Sequence, residues 1–401
     1  SWPAADGISA EVVENLSDDR PQGHIAFGSD AEGSSGIQSL NLQTGEADNL
    51  TYHPFAGDWM PELSPGGSEL LFTTGADVVS PEIYLLKSDG TYVRLTENTA
   101  MDVHAVWSPD GKEIAFSTDA AGNMDVYLMD LESEAISQLT QYEGVDWFPS
   151  WSPDGQQIAF ESDRDGNYEL YIMDHDGSNV VRLTENEAID SSPAWSPDGQ
   201  KIAFNSDRSG EFQVYLLELT TGETIKLTEG QQQANHPEWS PDGQYIAFDA
   251  IVDETSDIYI MKADGSEQRQ MTDDPANEAY PSWTGELVEF EVKPYWHRPF
   301  CAVDTDGDNF PDSRTETWSL NEELYFIMFS FRNMEDGKEW SHTWTNLNTG
   351  ASSFVPAVWD GGEAGAKNIY SNQPGQESAI WEIEFRLEGE LMDVIQCPVV
   401  E

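Results

Sequence analysis

Carboxylates recur along this 401-residue chain at one constant step, and a constant step is how a sequence gathers charge around an axis. Asp58, Asp102, Asp146 and Asp190 lie 44 residues apart; Ala234 takes the next place and Glu278 the one after. Such a set offers two chemistries. It can ring a channel mouth and hold a cation or a basic side chain, like charges raising one another's pKa. Alternatively, each carboxylate can cap a turn or bond the backbone of a neighbouring unit. Two places further on stand Met60, His104, Phe148, Ser192, His236 and Tyr280. His104 and His236, in equivalent positions, can bind a metal, act as an acid–base pair, or serve as satisfied wall residues.

A third set lies in CAVDTDGDNFPDSRTE, residues 301–316. Asp304, Asp306 and Asp308 occupy places 1, 3 and 5 of a calcium loop, the Phe310 carbonyl place 7, and Asp312 place 9. A hard cation that takes six to eight oxygens needs this alternation, because a wrapped loop turns alternate side chains inward. Asn309 stands where a glycine is usual at the sharp bend, and Asn visits left-handed conformations. Place 12 is Thr315, with Glu316 one residue on as the candidate bidentate ligand. The expectation is a Ca2+ site; the competing reading is a solvated acidic turn. These residues are similar to the loops of thrombospondin type 3 and dockerin-like repeats, DxDxDGxxD.

The elements that position the first two sets are repeats. Trp107, Trp151, Trp195, Trp239 and Trp283 share the 44-residue step, and Leu63 holds the same place one period earlier. Periods near 40 to 45 with several short strands predict propeller blades. In the unit PSWSPDGQQIAFESDRDGNYELYIMD (149–174), a strand ends at the Trp and Ser-Pro-Asp-Gly turns the chain. Pro pre-sets φ there and Gly takes the position that needs positive φ. IAFES (158–162), ELYIMD (169–174) and VVRLT (180–184) are the following strands, four in all per blade. The triplets Ile25-Ala26-Phe27, Leu70-Leu71-Phe72, Ile114-Ala115-Phe116, Ile158-Ala159-Phe160, Ile202-Ala203-Phe204 and Ile246-Ala247-Phe248 number six blades. The first lacks a Trp strand and the last Trp strand, YPSW (280–283), lacks a blade, so the two complete each other and close the ring.

WSPDG, IAFxSDRxG, LYxMDxDG and RLT, over residues 23 to 286, resemble the six-bladed propeller of the periplasmic Tol-Pal protein TolB and its wider family. The resemblance implies the fold. Its relatives include partner-binding proteins, peptidase accessory domains and lyases, some of which use a channel-mouth histidine and metal. Only about 22 residues precede the first blade, too few for TolB's separate N-terminal α/β domain, so the expectation is the propeller without a Tol-Pal role.

Composition narrows the partners. With 18 basic against 75 acidic residues the formal charge is -57, which excludes nucleic acid and anionic membrane surfaces. The longest strongly apolar run, LYFIMFSF (324–331), has a strand's length and falls short of a membrane span. Ser1 and the lack of a leader-like apolar stretch indicate a processed or trimmed start. No Gly-x-Ser-x-Gly elbow, His-Glu-x-x-His or Gly-x-x-x-x-Gly-Lys is present. The pairs Asp163-Arg164 and Asp207-Arg208 read as turn residues.

After Trp283 the period stops. ELYFIMFSFRN (323–333), KEWSHTWTN (338–346), AIWEIEFRLEG (379–389) and ELMDVIQCPVV (390–400) alternate apolar and polar residues, as in an immunoglobulin-like β-sandwich. Cys301 and Cys397, the two cysteines, flank this segment and suit a disulfide in an oxidising compartment. The expected chain is therefore all-β: an extension (1–22), a six-bladed propeller (23–286), a linker (287–300), and a calcium loop with a small sandwich (301–401). Its expected work is non-catalytic: a secreted or cell-surface protein that binds a protein partner or assembles into homo-oligomers or filaments. ISAEVVE (8–14) is a candidate added strand. The alternative is a propeller-type lyase or hydrolase acting at the carboxylates with His104 or His236.

Overall fold

The computed structural model describes residues 21–30, 36–51, 57–75, 80–230, 233–252, 255–273, 275–285 and 287–290, and the backbone of nine strands between 300 and 400. The chain divides into two compact units at about residue 291. The first is a six-bladed β-propeller, each blade a four-stranded antiparallel sheet. From the axis outward, blade four runs Asp146–Trp151, Gln157–Ser162, Glu169–Asp174 and Val181–Arg182. Blade one is built from both ends of the unit: Glu278–Thr284 pairs with His24–Ser29, Trp283 opposite Ile25 and Ser282 opposite Ala26. Each innermost strand touches the innermost strand of the next blade, and Glu278–Thr284 touches both Gln233–Trp239 and Asp58–Leu63, so the ring is closed.

The triplet is what packs one blade on the next. Strand alternation sends its first and third residues to one face and the middle residue to the other. Ile158 and Phe160 of blade four lie with Ala115, Val126 and Leu128 of blade three. On the opposite face, Ala159 meets Ile202, Phe204 and Tyr215 of blade five. The same exchange recurs at every junction, including Ala247 of blade six against Ile25 and Phe27 of blade one. The middle residue is small because the next blade's Trp, Ile and Phe need its room; blade two alone uses Leu71. All six phenylalanines are at most 2% exposed, each burial stabilising by about 2 kcal/mol.

Two further repeat residues close hydrogen bonds that burial would otherwise orphan. The Thr that follows each blade's outermost strand accepts, through Oγ1, the N–H of the third strand's second residue, as Thr184 of Arg-Leu-Thr does from Leu170 at 3.0 Å and Thr228 of Lys-Leu-Thr from Val214 at 2.9 Å. In the Ser-Pro-Asp-Gly turns, Gly155 and Gly199 take φ of +67° and +70°. The turn Asp fixes the loop: Asp154 Oδ1 accepts from Ser152 Oγ at 2.7 Å and from Gln156 N at 3.0 Å.

The second unit contains a four-stranded and a five-stranded sheet. The first orders Ser313–Arg314, Phe300–Val303, Tyr325–Arg332 and Ala364–Ser371. The second orders Trp318–Ser319, Glu390–Val400, Ile380–Leu387, Glu339–Asn346 and Ser352–Val358. Pairing is antiparallel except between Trp318–Ser319 and Val399–Val400. Cys301 and Cys397 sit on strands of different sheets; their side chains lie outside the described residues. Also outside are the stacking expected of a sandwich, the calcium-loop residues Asp304, Asp306, Asp308, Phe310, Asp312 and Glu316, and the 8–14 segment.

Candidate functional site

The six positions Met60, His104, Phe148, Ser192, His236 and Tyr280 share one backbone feature: φ between +47° and +58°, left-handed in residues that are not glycine. Each lies at a register shift between the two inner strands of its blade. A bulge of this kind re-aims one side chain and frees its N–H from the ladder. Proline follows in five of the six blades, which removes the next N–H as well. A polar residue on the preceding blade's second strand accepts the freed N–H. His104 N donates to Thr73 Oγ1 at 3.3 Å, Ser192 N to Glu161 Oε2 at 2.9 Å, and Tyr280 N to Asp249 Oδ1 at 3.2 Å.

The re-aimed side chains all line a cavity of 190 Å³ enclosed by the innermost strands and reaching Pro109 in a Ser-Pro-Asp-Gly turn. Four of their rings form a chain across it. The ring centres of His104 and Phe148 are 4.4 Å apart, those of Phe148 and His236 5.9 Å, and those of His236 and Tyr280 4.0 Å. His236 Nδ1 donates to Asp249 Oδ1 at 2.7 Å, which fixes its ring and leaves Nε2 as the other nitrogen for proton exchange. Burial and the facing His236 lower His104 to a pKa of about 3, so it is neutral near pH 7. Burial, with the charges of Asp249 and Glu161, pushes the Tyr280 phenol up to about 12.

Two carboxyls share the cavity wall, Glu62 of blade two and Glu238 of blade six, flanking Ser282 of blade one. Burial raises Glu62 to about 7, opposed by its hydrogen bond with Ser282. Burial raises Glu238 well above the usual carboxylate range, and the charge of Glu62 raises it further. Beside the cavity, Glu161 is 5% exposed and burial lifts it to about 8 against the pull of the Ser192 N–H. Among the described residues no group of three or more His, Cys, Asp or Glu side chains is arranged as metal ligands.

The 44-step carboxylates are placed elsewhere. Asp58, Asp102, Asp146, Asp190 and Glu278 are at most 1% exposed and do not line the cavity. Asp190 meets Arg208 Nη2 at 2.7 Å and Asn186 Nδ2 at 2.7 Å; Asp146 meets Arg164 Nη2 at 2.9 Å. Asp102 accepts from Asn98 Nδ2 at 2.6 Å. Asn186 and Asn98 come from the preceding blade's last loop, and their N–H groups bond Glu169 and Glu82, which in turn hold Arg182 and Arg94. The structure thus joins His104 with His236 in the cavity and gives the carboxylates to the blade junctions. The sequence reading passed over Glu62 and Glu238. Their signal is the place just before the register mark, where Val106, Ser150, Ala194 and Ser282 are apolar or small and these two are acidic.

Comparison with known proteins identifies the first unit. The family model described as the TolB beta propeller domain matches residues 15–142, 106–182, 123–249 and 168–291. The chain belongs to the TolB β-propeller family. TolB from Acinetobacter baumannii superposes with a TM-score of 0.61 at 25% identity, covering 66% of this chain and 67% of that one. A protein described as TolB from Agrobacterium tumefaciens gives 0.54 at 21% identity, over 67% and 94% of the two chains. Hydrazine synthase of Kuenenia stuttgartiensis gives 0.56 at 13% identity over 91% and 65%, a likeness of fold alone. No curated protein sequence matches the chain. Against this TolB-type frame, the junction packing repeats from blade to blade while the six re-aimed side chains in the cavity vary.

Proposed function

We propose that this TolB-type propeller is a non-catalytic, extracytoplasmic scaffold, secreted or at the cell surface, that binds a protein partner through its cavity face. One observation carries the reading: six structurally equivalent positions, each held by the same costly left-handed bulge, display six side chains of five different kinds into one cavity. Repetition of the backbone with variation of the side chains is what a recognition surface needs. A Ca2+ ion held by Asp304, Asp306, Asp308, Phe310, Asp312 and Glu316, and a Cys301–Cys397 bond, complete the reading by stabilising the second unit. Assembly of the chain with copies of itself belongs to the same reading.

The test immobilises the full chain and passes over it the extracytoplasmic proteins of its source. Val106→Trp and Ser150→Trp, which fill the cavity, serve beside the unaltered chain, with melting curves to confirm folding. A partner retained by the unaltered chain and released by both fillings supports the reading; equal retention overturns it. Light scattering reads self-assembly, and melting with Ca2+ or a chelator reads the ion.

The second reading is a lyase or hydrolase, favoured by the His236–Asp249 bond of 2.7 Å that orients an imidazole at the cavity. A turnover lost in His236→Gln at unchanged stability would establish it.

A further inference from the structure

The cavity has two unlike walls. On the side of blades six and two stand Glu238 and Glu62, and Glu238 receives no side-chain hydrogen bond among the described residues. On the side of blades four and five stand the rings of Phe148, Trp151 and Trp195. One wall therefore presents two carboxyls and the other presents aromatic rings.

Size and charge select among ligands. A cavity of 190 Å³ is below the roughly 300 Å³ at which drug-sized or cofactor-sized sites begin. It takes several waters, at about 30 Å³ each, or the end of one long side chain. No lysine or arginine lines it, so nothing within the wall neutralises the two glutamates. The rings of Phe148 and Tyr280 add π faces that attract a cation. A cation draws both carboxyls into their charged form, an anion cannot, and a neutral apolar ligand leaves both glutamates unmatched.

We infer that the cavity receives a basic side chain of a partner polypeptide, a lysine ammonium or an arginine guanidinium. The cationic head sits between Glu62 and Glu238, beside the ring faces of Phe148 and Tyr280. This rests on the partner-binding reading above and names the chemical group that such a partner inserts. It differs from a divalent-cation site, which would ask for more oxygens than two carboxyls supply.

The full chain is titrated with Nα-acetyl-lysine N-methylamide and its arginine counterpart, followed by tryptophan fluorescence and calorimetry. The norleucine counterpart, cadaverine and CaCl2 are run beside them. Both basic amides bind with Kd of about 1 mM or below, and the norleucine amide binds at least about tenfold more weakly; cadaverine, which keeps the ammonium, competes with them. Glu62→Gln and Glu238→Gln each weaken the basic amides about tenfold, while Glu143→Gln, on an exposed loop, leaves them unchanged. Equal binding of the norleucine amide, unchanged binding in both glutamine variants, or CaCl2 displacing the amides from the same residues overturns the inference. Because the probes need no partner, their failure beside intact partner retention refutes the basic side chain alone, whereas loss of retention refutes the broader reading.

Discussion

Carboxylates occur in two regions of the propeller under opposite terms, fully buried at the blade junctions and half-buried in the cavity. At the blade junctions, Asp146 and Asp190 each meet an arginine within 2.9 Å, and the neighbouring Glu169 meets a third. In the cavity, Glu62 and Glu238 face each other's charge with no cationic side chain in the wall. The first arrangement appears in blades four and five, where Asn186 also ties Asp190 to the preceding blade as Asn98 ties Asp102; the second occurs once, where two blades depart from the rest. A charge that is repeated and neutralised is architecture. A charge that is singular and left without a counter-charge costs stability, and such costs persist where something outside the fold uses them.

Removing one partner of a junction pair sharpens the contrast most. Asp190→Ala strands Arg208 and releases Asn186, and the expected loss is about 3 to 5 kcal/mol in urea unfolding. If Asp190→Ala costs no more than an exposed substitution, the junction network is not what holds the blades.

The carboxyls in and beside the cavity should respond in the opposite direction. Glu161 and Glu62 have folded pKa values of about 8 and about 7 against 4.5 when free. Below about pH 4.5 both states hold the protons; between there and pH 8 only the folded state does. Unfolding then releases protons, so stability falls as pH rises through this window. Glu161→Gln keeps an acceptor for the Ser192 N–H without the charge, and it should gain on the order of 2 kcal/mol at about pH 9 and little at about pH 5. Unfolding curves of the two proteins across that range should diverge; parallel curves would remove the distinction between the regions. The smallest effect belongs to the turn carboxylates. Asp198→Ala loses hydrogen bonds from Ser196 Oγ and Gln200 N at a rim position, and about 1 kcal/mol or less is expected.

The repeat was legible because packing wrote it. A large apolar residue at the register mark, a triplet ending in Phe and a Thr after the outermost strand serve each junction, so they recur in register and count the blades directly. The closure of the ring was legible for the same reason, as two complementary deficits in that count. The direction of the 44-step carboxylates was not: alternation puts a side chain on one of two faces, and a bulge between Trp147 and Ser150 changes the phase within the strand. That bulge carries Phe148 into the cavity, as its counterpart between Asn235 and Glu238 carries His236, while Asp146, two residues before Phe148, turns to Arg164. Glu62 and Glu238 were visible only as exceptions at a position otherwise small or apolar, and an exception acquires meaning once its neighbours across the ring are known.

The most direct measurement is a carbon-detected NMR titration of the side-chain carboxyls of Glu62 and Glu238 in the full chain. Both carboxyls should titrate well above ordinary glutamates, Glu62 at about 7, and substituting either with glutamine should lower the other. If both titrate together at about 4.5, indifferent to one another, the cavity holds no uncompensated pair of charges and the recognition site built on them is contradicted.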